Sequence, residues 1–91
     1  MPETKRIAVI VKDRSEEALR MALGLTLYDD MVDIYLTGPG PAPTETNLMN
    51  LEMLKAMKAG LYSICEVEDF KRVSEEDVPQ ILLKYDVVIP Y

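Results

Sequence analysis

The sequence predicts an α/β fold: three layers, α/β/α, around a mostly parallel sheet of four or five strands in the order β-α-β-α-β-α-β. Three observations predict it. A continuous apolar run rich in β-branched residues at 7–11 is the mark of a strand buried on both faces, and further strand-like stretches follow at 32–37, 61–65 and 87–89. Segments of helical spacing lie between such runs. Those segments are long enough for crossovers between parallel strands, which are right-handed. The chain has 91 residues, a single-domain length, so residues 1–91 form one α/β domain.

The first strand is Ile7-Ala8-Val9-Ile10-Val11, ended by Lys12-Asp13-Arg14-Ser15. Ser15 or Asp13 can cap the next helix, and Glu16 and Glu17 suit its first turn, where the helix dipole favours carboxylates. That helix is expected over 16–28. Its polar stripe is narrow, Glu16, Arg20 and Gly24, so more of its circumference is apolar than a sheet contact needs. Asp29-Asp30 breaks the pattern, and 32–37 reads as the second strand. The run 38–43, with Gly38, Gly40 and three prolines, is a loop. It is too short for a domain linker. A helix is expected over 47–59 with Gly60 as its C′ residue. Met49, Met53, Ala56 and Met57 form one apolar stripe on it, and Leu48, Leu51 and Leu54 lie elsewhere. Residues 61–65 read as a third strand, and 66–72 as loop or a short helical turn. Ser74 and Asp77 have capping-box spacing, and Pro79 fits an early helical position in a helix reaching about residue 84. Residues 87–89 are the last strand.

Composition removes whole classes of function. Hydrophobic residues are 48% and charged residues 29%, a globular balance. There is no histidine, so Ser-His-Asp and Cys-His catalysis within this chain are excluded, as are histidine-ligated metals. The single cysteine can form neither an intramolecular disulfide nor a thiolate zinc site, and it suits a reducing compartment. No metal and no cofactor are expected. The net charge of −6 and a pI of about 4.5 argue against nucleic-acid binding, which needs a basic face. No apolar run approaches the roughly 20 residues that cross a bilayer. The five apolar residues before Lys12 are too few for a signal sequence. A cytoplasmic protein without membrane or nucleic-acid partners is the expectation.

In an open parallel sheet, sites gather beyond the C-terminal ends of the strands. Those ends carry Lys12 to Ser15, Thr37 to Gly40, and Cys65-Glu66. No phosphate-binding glycine motif follows the first strand, and Gly38-Pro39-Gly40-Pro41 lacks the backbone donors that cradle phosphate. Asp29-Asp30 and Glu75-Glu76 read as solvated helix ends. Cys65 alone has distinctive chemistry, because a thiolate can attack and hold sulfur. Glu66, Glu68 and Asp69 would disfavour the thiolate, while Lys71, Arg72, or Arg14 brought across by a loop would favour it. Residue physics alone favours a packed structural cysteine over a reactive one.

With Cys65 placed, the chain resembles the DsrE/DsrF-like family, which includes sulfur-relay proteins. The resemblance rests on residues 7–11, on Glu17-Ala18-Leu19-Arg20-Met21-Ala22-Leu23-Gly24-Leu25, and on Val32-Asp33-Ile34-Tyr35-Leu36-Thr37-Gly38. It continues through Leu61-Tyr62-Ser63-Ile64-Cys65 and Tyr85-Asp86-Val87-Val88-Ile89. It implies a cytoplasmic, oligomeric α/β protein with a parallel sheet. It also implies a persulfide carried on a cysteine just after a mid-chain strand, where Cys65 falls. Glu66-Val67-Glu68-Asp69 stand where members often carry glycine and basic residues. The expected function is a persulfide relay through Cys65 between a donor and an acceptor protein. Arg14 would favour the anion if the loops meet, and Ser15 and Gly38 would shape the pocket. The alternative is a non-catalytic homo-oligomeric module, an assembly subunit or small-ligand binder, with a structural cysteine.

Overall fold

The computed structural model describes residues 5–26, 31–38 and 40–91. In chain order it contains strand β1 (Arg6–Val11), helix α1 (Ser15–Thr26), β2 (Met31–Leu36), α2 (Glu45–Ala56), β3 (Gly60–Ser63) and β4 (Lys71–Arg72). A 3-10 turn (Glu75–Asp77), α3 (Val78–Leu82) and β5 (Val87–Pro90) follow. The five strands form one sheet in the order β4-β3-β2-β1-β5, and every pairing is parallel. The α/β class, the layered plan and the parallel sheet are therefore as expected, in the five-stranded form.

The strand order fixes the layers. From β1 to β3 the chain steps one way along the sheet, so right-handed crossovers put α1 and α2 on one face. The return from β4 to β5 crosses the whole sheet in the opposite sense and puts α3 on the other face. The register then divides the side chains. Ile7, Val9 and Val11 lie beside Val32, Ile34 and Leu36, and Ile34 lies beside Leu61. Together with Ala18, Leu19 and Ala22 of α1 and Leu51 and Leu54 of α2, these residues make the core. Each fully buried aliphatic side chain there contributes about 1.5–3 kcal/mol. Met21, Leu23 and Leu25 of α1 also pack against this core, which accounts for much of the apolar excess of that helix.

The elements differ from expectation where a single hydrogen bond decides. Thr44 caps α2: its hydroxyl accepts the Asn47 N–H at 3.1 Å, so the helix begins at Glu45, two residues before the expected start. Its last residue is Ala56, and Lys58 rather than Gly60 is the C′ residue. Lys58 takes a left-handed φ of 63°. The Ala59 N–H donates to the Leu54 carbonyl at 3.0 Å, and that of Lys58 to Lys55 at 3.0 Å. These are the paired bonds of a Schellman turn, with lysine where glycine is usual. Gly60 is thereby freed to open β3. Residues 71–72, expected as loop or a short helical turn, form the edge strand β4 beside Tyr62 and Ser63. Ser74 makes no capping bond through its side chain; Pro79 does lie in the first turn of α3. The expected helix residues 27–28 and the break at 29–30 lie outside the described residues.

Candidate functional site

The strand exits converge along the C-terminal edge of the sheet. The Thr37 N–H donates to the Val11 carbonyl at 2.8 Å, Ile64 to Leu36 at 3.1 Å, and Val73 to Ser63 at 2.8 Å. These bonds extend the ladders one residue past the strands and hold the loop starts level. Cys65 is the second residue beyond β3, on a bend rather than in the strand. Its thiol is exposed, not packed. Its backbone N–H donates to the Ser63 hydroxyl at 3.1 Å. Ser63 is wholly buried, so this bond anchors the backbone below the sulfur while leaving the sulfur open.

An open hollow of about 500 Å³ adjoins this bend, lined by Ile64, Arg72, Val73, Ser74 and Glu75. Arg72 and Ser74 enter it because β4 pairs with β3 and brings residues nine and more positions later to the same edge. Asp69, one of the acids expected to oppose a thiolate, is drawn away. Its carboxylate accepts from the Lys55 ammonium of α2 at 2.7 Å, and that bond raises the Lys55 pKa.

The other expected residues lie elsewhere on the edge. Arg14, just before α1, is exposed and 4.0 Å from Glu17 in the first turn of that helix. It lines one hollow with Glu17, Pro90 and Tyr91. It lines another with Ser15, Asp13, Ala42 and Asn47, so the structure brings Arg14 and Ser15 together. Cys65 is in neither. Arg14 follows β1, and β2 lies between β1 and β3, so about 10 Å of sheet separates the two exits. Gly38 has a packing reason: a Cβ there would overlap the Lys12 carbonyl oxygen, so only glycine lets the β2 exit pass the β1 exit.

On the opposite face the register aligns Ala8 with Asp33 and Ile10 with Tyr35, and Tyr35 with Tyr62. The rings of Tyr35 and Tyr62 stack with centroids 4.8 Å apart. Tyr85, just before β5, reaches across β1 and donates its hydroxyl proton to Asp33 Oδ2. Its oxygen is 2.7 Å from that of Tyr35. One phenol carries one proton, so Tyr35 is the donor in that second bond. Asp33 Oδ1 accepts the Gly60 N–H at 2.9 Å. The Arg6 guanidinium lies 5.1 Å from the Tyr85 ring centroid, a cation–π contact. Burial, then the bonds to Asp33 and Tyr35, push the Tyr85 pKa far above 10.0. Burial also raises that of Tyr35. This network escaped the sequence reading. Its signal was Asp33, a carboxylate between two apolar residues of a strand that parallel pairing buries on both faces.

Among the described residues, no cluster of three or more histidine, cysteine or acidic side chains could hold a metal ion. Nor is any helix long and apolar enough to cross a membrane. Comparison with protein-family models, curated proteins and solved structures finds no match to this chain.

Proposed function

We propose that this chain is a sulfur carrier of cytoplasmic sulfur metabolism, a persulfide relay that uses Cys65. The observation that carries the reading is the exposed thiol on an anchored bend at the C-terminal edge of an all-parallel sheet. The resemblance to the DsrE/DsrF-like family supports it. In the loading step the Cys65 thiolate attacks the terminal sulfur of a donor persulfide, R–S–SH. A new S–S bond forms to Cys65, the donor S–S bond breaks, and the donor leaves as the thiolate R–S⁻. In the unloading step an acceptor thiolate attacks the same terminal sulfur, and Cys65 is released as a thiolate. No outside oxidant or reductant is consumed. Arg72 is the cation that shares a hollow with Ile64, the neighbour of Cys65. The chain itself associates with copies of itself in this reading.

Intact-mass analysis after incubation with a persulfide donor tests the loading step. The wild type gains the mass of one sulfur atom and Cys65→Ser gains none. No adduct on the wild type, or the same adduct on the variant, defeats the proposal.

A second reading, a non-catalytic oligomeric module, draws on the outward face of α2, where Leu48, Met49 and Met53 are about half exposed. In that case native Cys65 alkylates slowly compared with the unfolded chain, and Cys65→Ser leaves assembly intact.

A further inference from the structure

Packing at the start of α2 leaves one polar atom over. Asn47 is only 2% exposed. Its Nδ2 donates to the Ala42 carbonyl at 2.9 Å. Its Oδ1 has no hydrogen-bond partner, and among the described residues it is the one buried side-chain nitrogen or oxygen in that condition. Turning the amide over gives no remedy, since it would set two acceptors, Oδ1 and the Ala42 oxygen, face to face. Buried acceptors are almost always paired, so this one calls for a donor. Asn47 and Ala42 both line an open hollow of about 290 Å³, and the amide that joins them therefore stands at its wall. The hollow lies beyond the C-terminal exits of β1 and β2, on the edge where open parallel sheets bind ligands. Its size is at the small end for a ligand site. The connection from β1 and the first turn of α1 form the other walls, with three carboxylates, Asp13, Glu16 and Glu17, and one cation, Arg14. Arg14 is 4.0 Å from Glu17 and Arg20 is 4.0 Å from Glu16. Asp13 is the carboxylate of the hollow with no ion pair among the described residues.

These walls select the ligand by charge and by donor count. Three carboxylates against one guanidinium oppose an anion, and the α1 dipole, which favours anions, is already met by Glu16 and Glu17 in the first turn. A metal ion is not served either, since no three acidic side chains among the described residues are grouped to hold one. The unmatched groups are a carboxylate and an amide oxygen, both acceptors. A primary ammonium suits both, because it carries a positive charge and three donor protons. We propose that this hollow binds a small primary amine in its ammonium form, with the nitrogen held by the Asp13 carboxylate and Asn47 Oδ1. The hydroxyl of Ser15, also on the wall, is an acceptor for the third proton. An open site with one charge pair binds weakly, with a Kd on the order of 1 mM. Cys65 does not line this hollow, so the proposal stands apart from the sulfur reading.

Titration of the full chain with n-butylammonium chloride, followed by amide NMR signals at constant pH and ionic strength, tests the site. Two further probes separate the parts of the claim. Tetramethylammonium has the charge without N–H donors, and butan-1-ol has a donor without the charge. Butylammonium shifts the signals of residues 13–17 and the side-chain amide of Asn47, and the shifts saturate. The other two probes bind at least about tenfold more weakly. Asp13→Asn, at an exposed position, weakens butylammonium binding about tenfold or more. Asn47→Ala does the same, with a thermal melt to check that it folds. Glu76→Gln, an exposed acid outside the hollow, leaves binding unchanged. Equal binding of tetramethylammonium at the same signals reveals mere attraction of a cation to an acidic chain and overturns the site. So do shifts that never saturate, or binding that Asp13→Asn leaves intact. Undiminished binding to a folded Asn47→Ala overturns the role given to the amide oxygen. If Asn47→Ala does not fold, Asp13→Asn and the two control probes decide.

Discussion

Two side chains carry most of the local chemistry, and the chain treats them in opposite ways. Cys65 is set beyond the end of β3 and left open. Tyr85 is drawn over the sheet and held by Asp33 and Tyr35. Tyr85→Phe removes the hydroxyl that gives its proton to a partly buried carboxylate. The expected loss is about 1.5–3 kcal/mol, the net worth of a bond to a charged group, read as a lower urea midpoint with an unchanged slope. Tyr35→Phe should cost less, because the Tyr85–Asp33 bond survives it. Cys65 was legible from residue type and from its place after a mid-chain apolar run. Its exposure was not, because packing tendencies of free cysteine point inward. Arg14 illustrates the harder limit. A cation near in loop order is not near in space when a whole strand, β2, lies between the two exits.

At the scale of elements, hydrophobic pattern located α1, α2 and the four longer strands, and cap and proline signals located α3, while the ends were set by bonds that a pattern does not report. The Thr44 cap and the left-handed Lys58 moved α2 by two residues at one end and three at the other. Strand β4 was invisible in sequence because two charged residues, Lys71 and Arg72, have no apolar alternation. They are a strand only because β3 offers a free edge. Within α1, Gly24 is a helical residue whose added Cβ would meet nothing within 4 Å among the described atoms, and its φ is not positive. Gly24→Ala should therefore stabilise the protein by about 0.5–1 kcal/mol, the helix-propensity difference between the two residues. A thermal melt reads it as a raised midpoint.

The whole molecule is a sheet clad unequally, with two 12-residue helices on one face and a 5-residue helix on the other. The aromatic network reinforces the thin side. Tyr85 and Asp86 fasten the approach to β5 onto the start of β1, through the paired bonds between Arg6 and Asp86 at 2.9 and 2.8 Å. This gives the stability a defined alkaline limit. The folded pKa values of Tyr35 and Tyr85 lie above the ordinary 10.0. Above pH 10 the unfolded chain therefore loses phenolic protons that the folded chain keeps. Stability from these groups is complete below about pH 10 and falls as pH rises past it. Urea midpoints should be level through pH 9 and decline above 10, with a shallower decline in Tyr85→Phe. An identical slope in the variant would show that other groups govern the alkaline limit. The parallel sheet itself was readable, since its four longer strands are largely apolar stretches with helical segments between them. The strand order was not, because no residue pattern states that the chain returns from β4 across the entire sheet to β5.

The most direct measurement follows one sulfur atom through a full cycle. The chain is loaded from an isotopically labelled persulfide, freed of donor, and mixed with an acceptor thiol while the label on protein and acceptor is counted. A carrier takes up one labelled sulfur per chain and passes it to the acceptor, returning Cys65 to its starting mass. Label that never leaves the chain, or that binds equally to Cys65→Ser, would contradict the account.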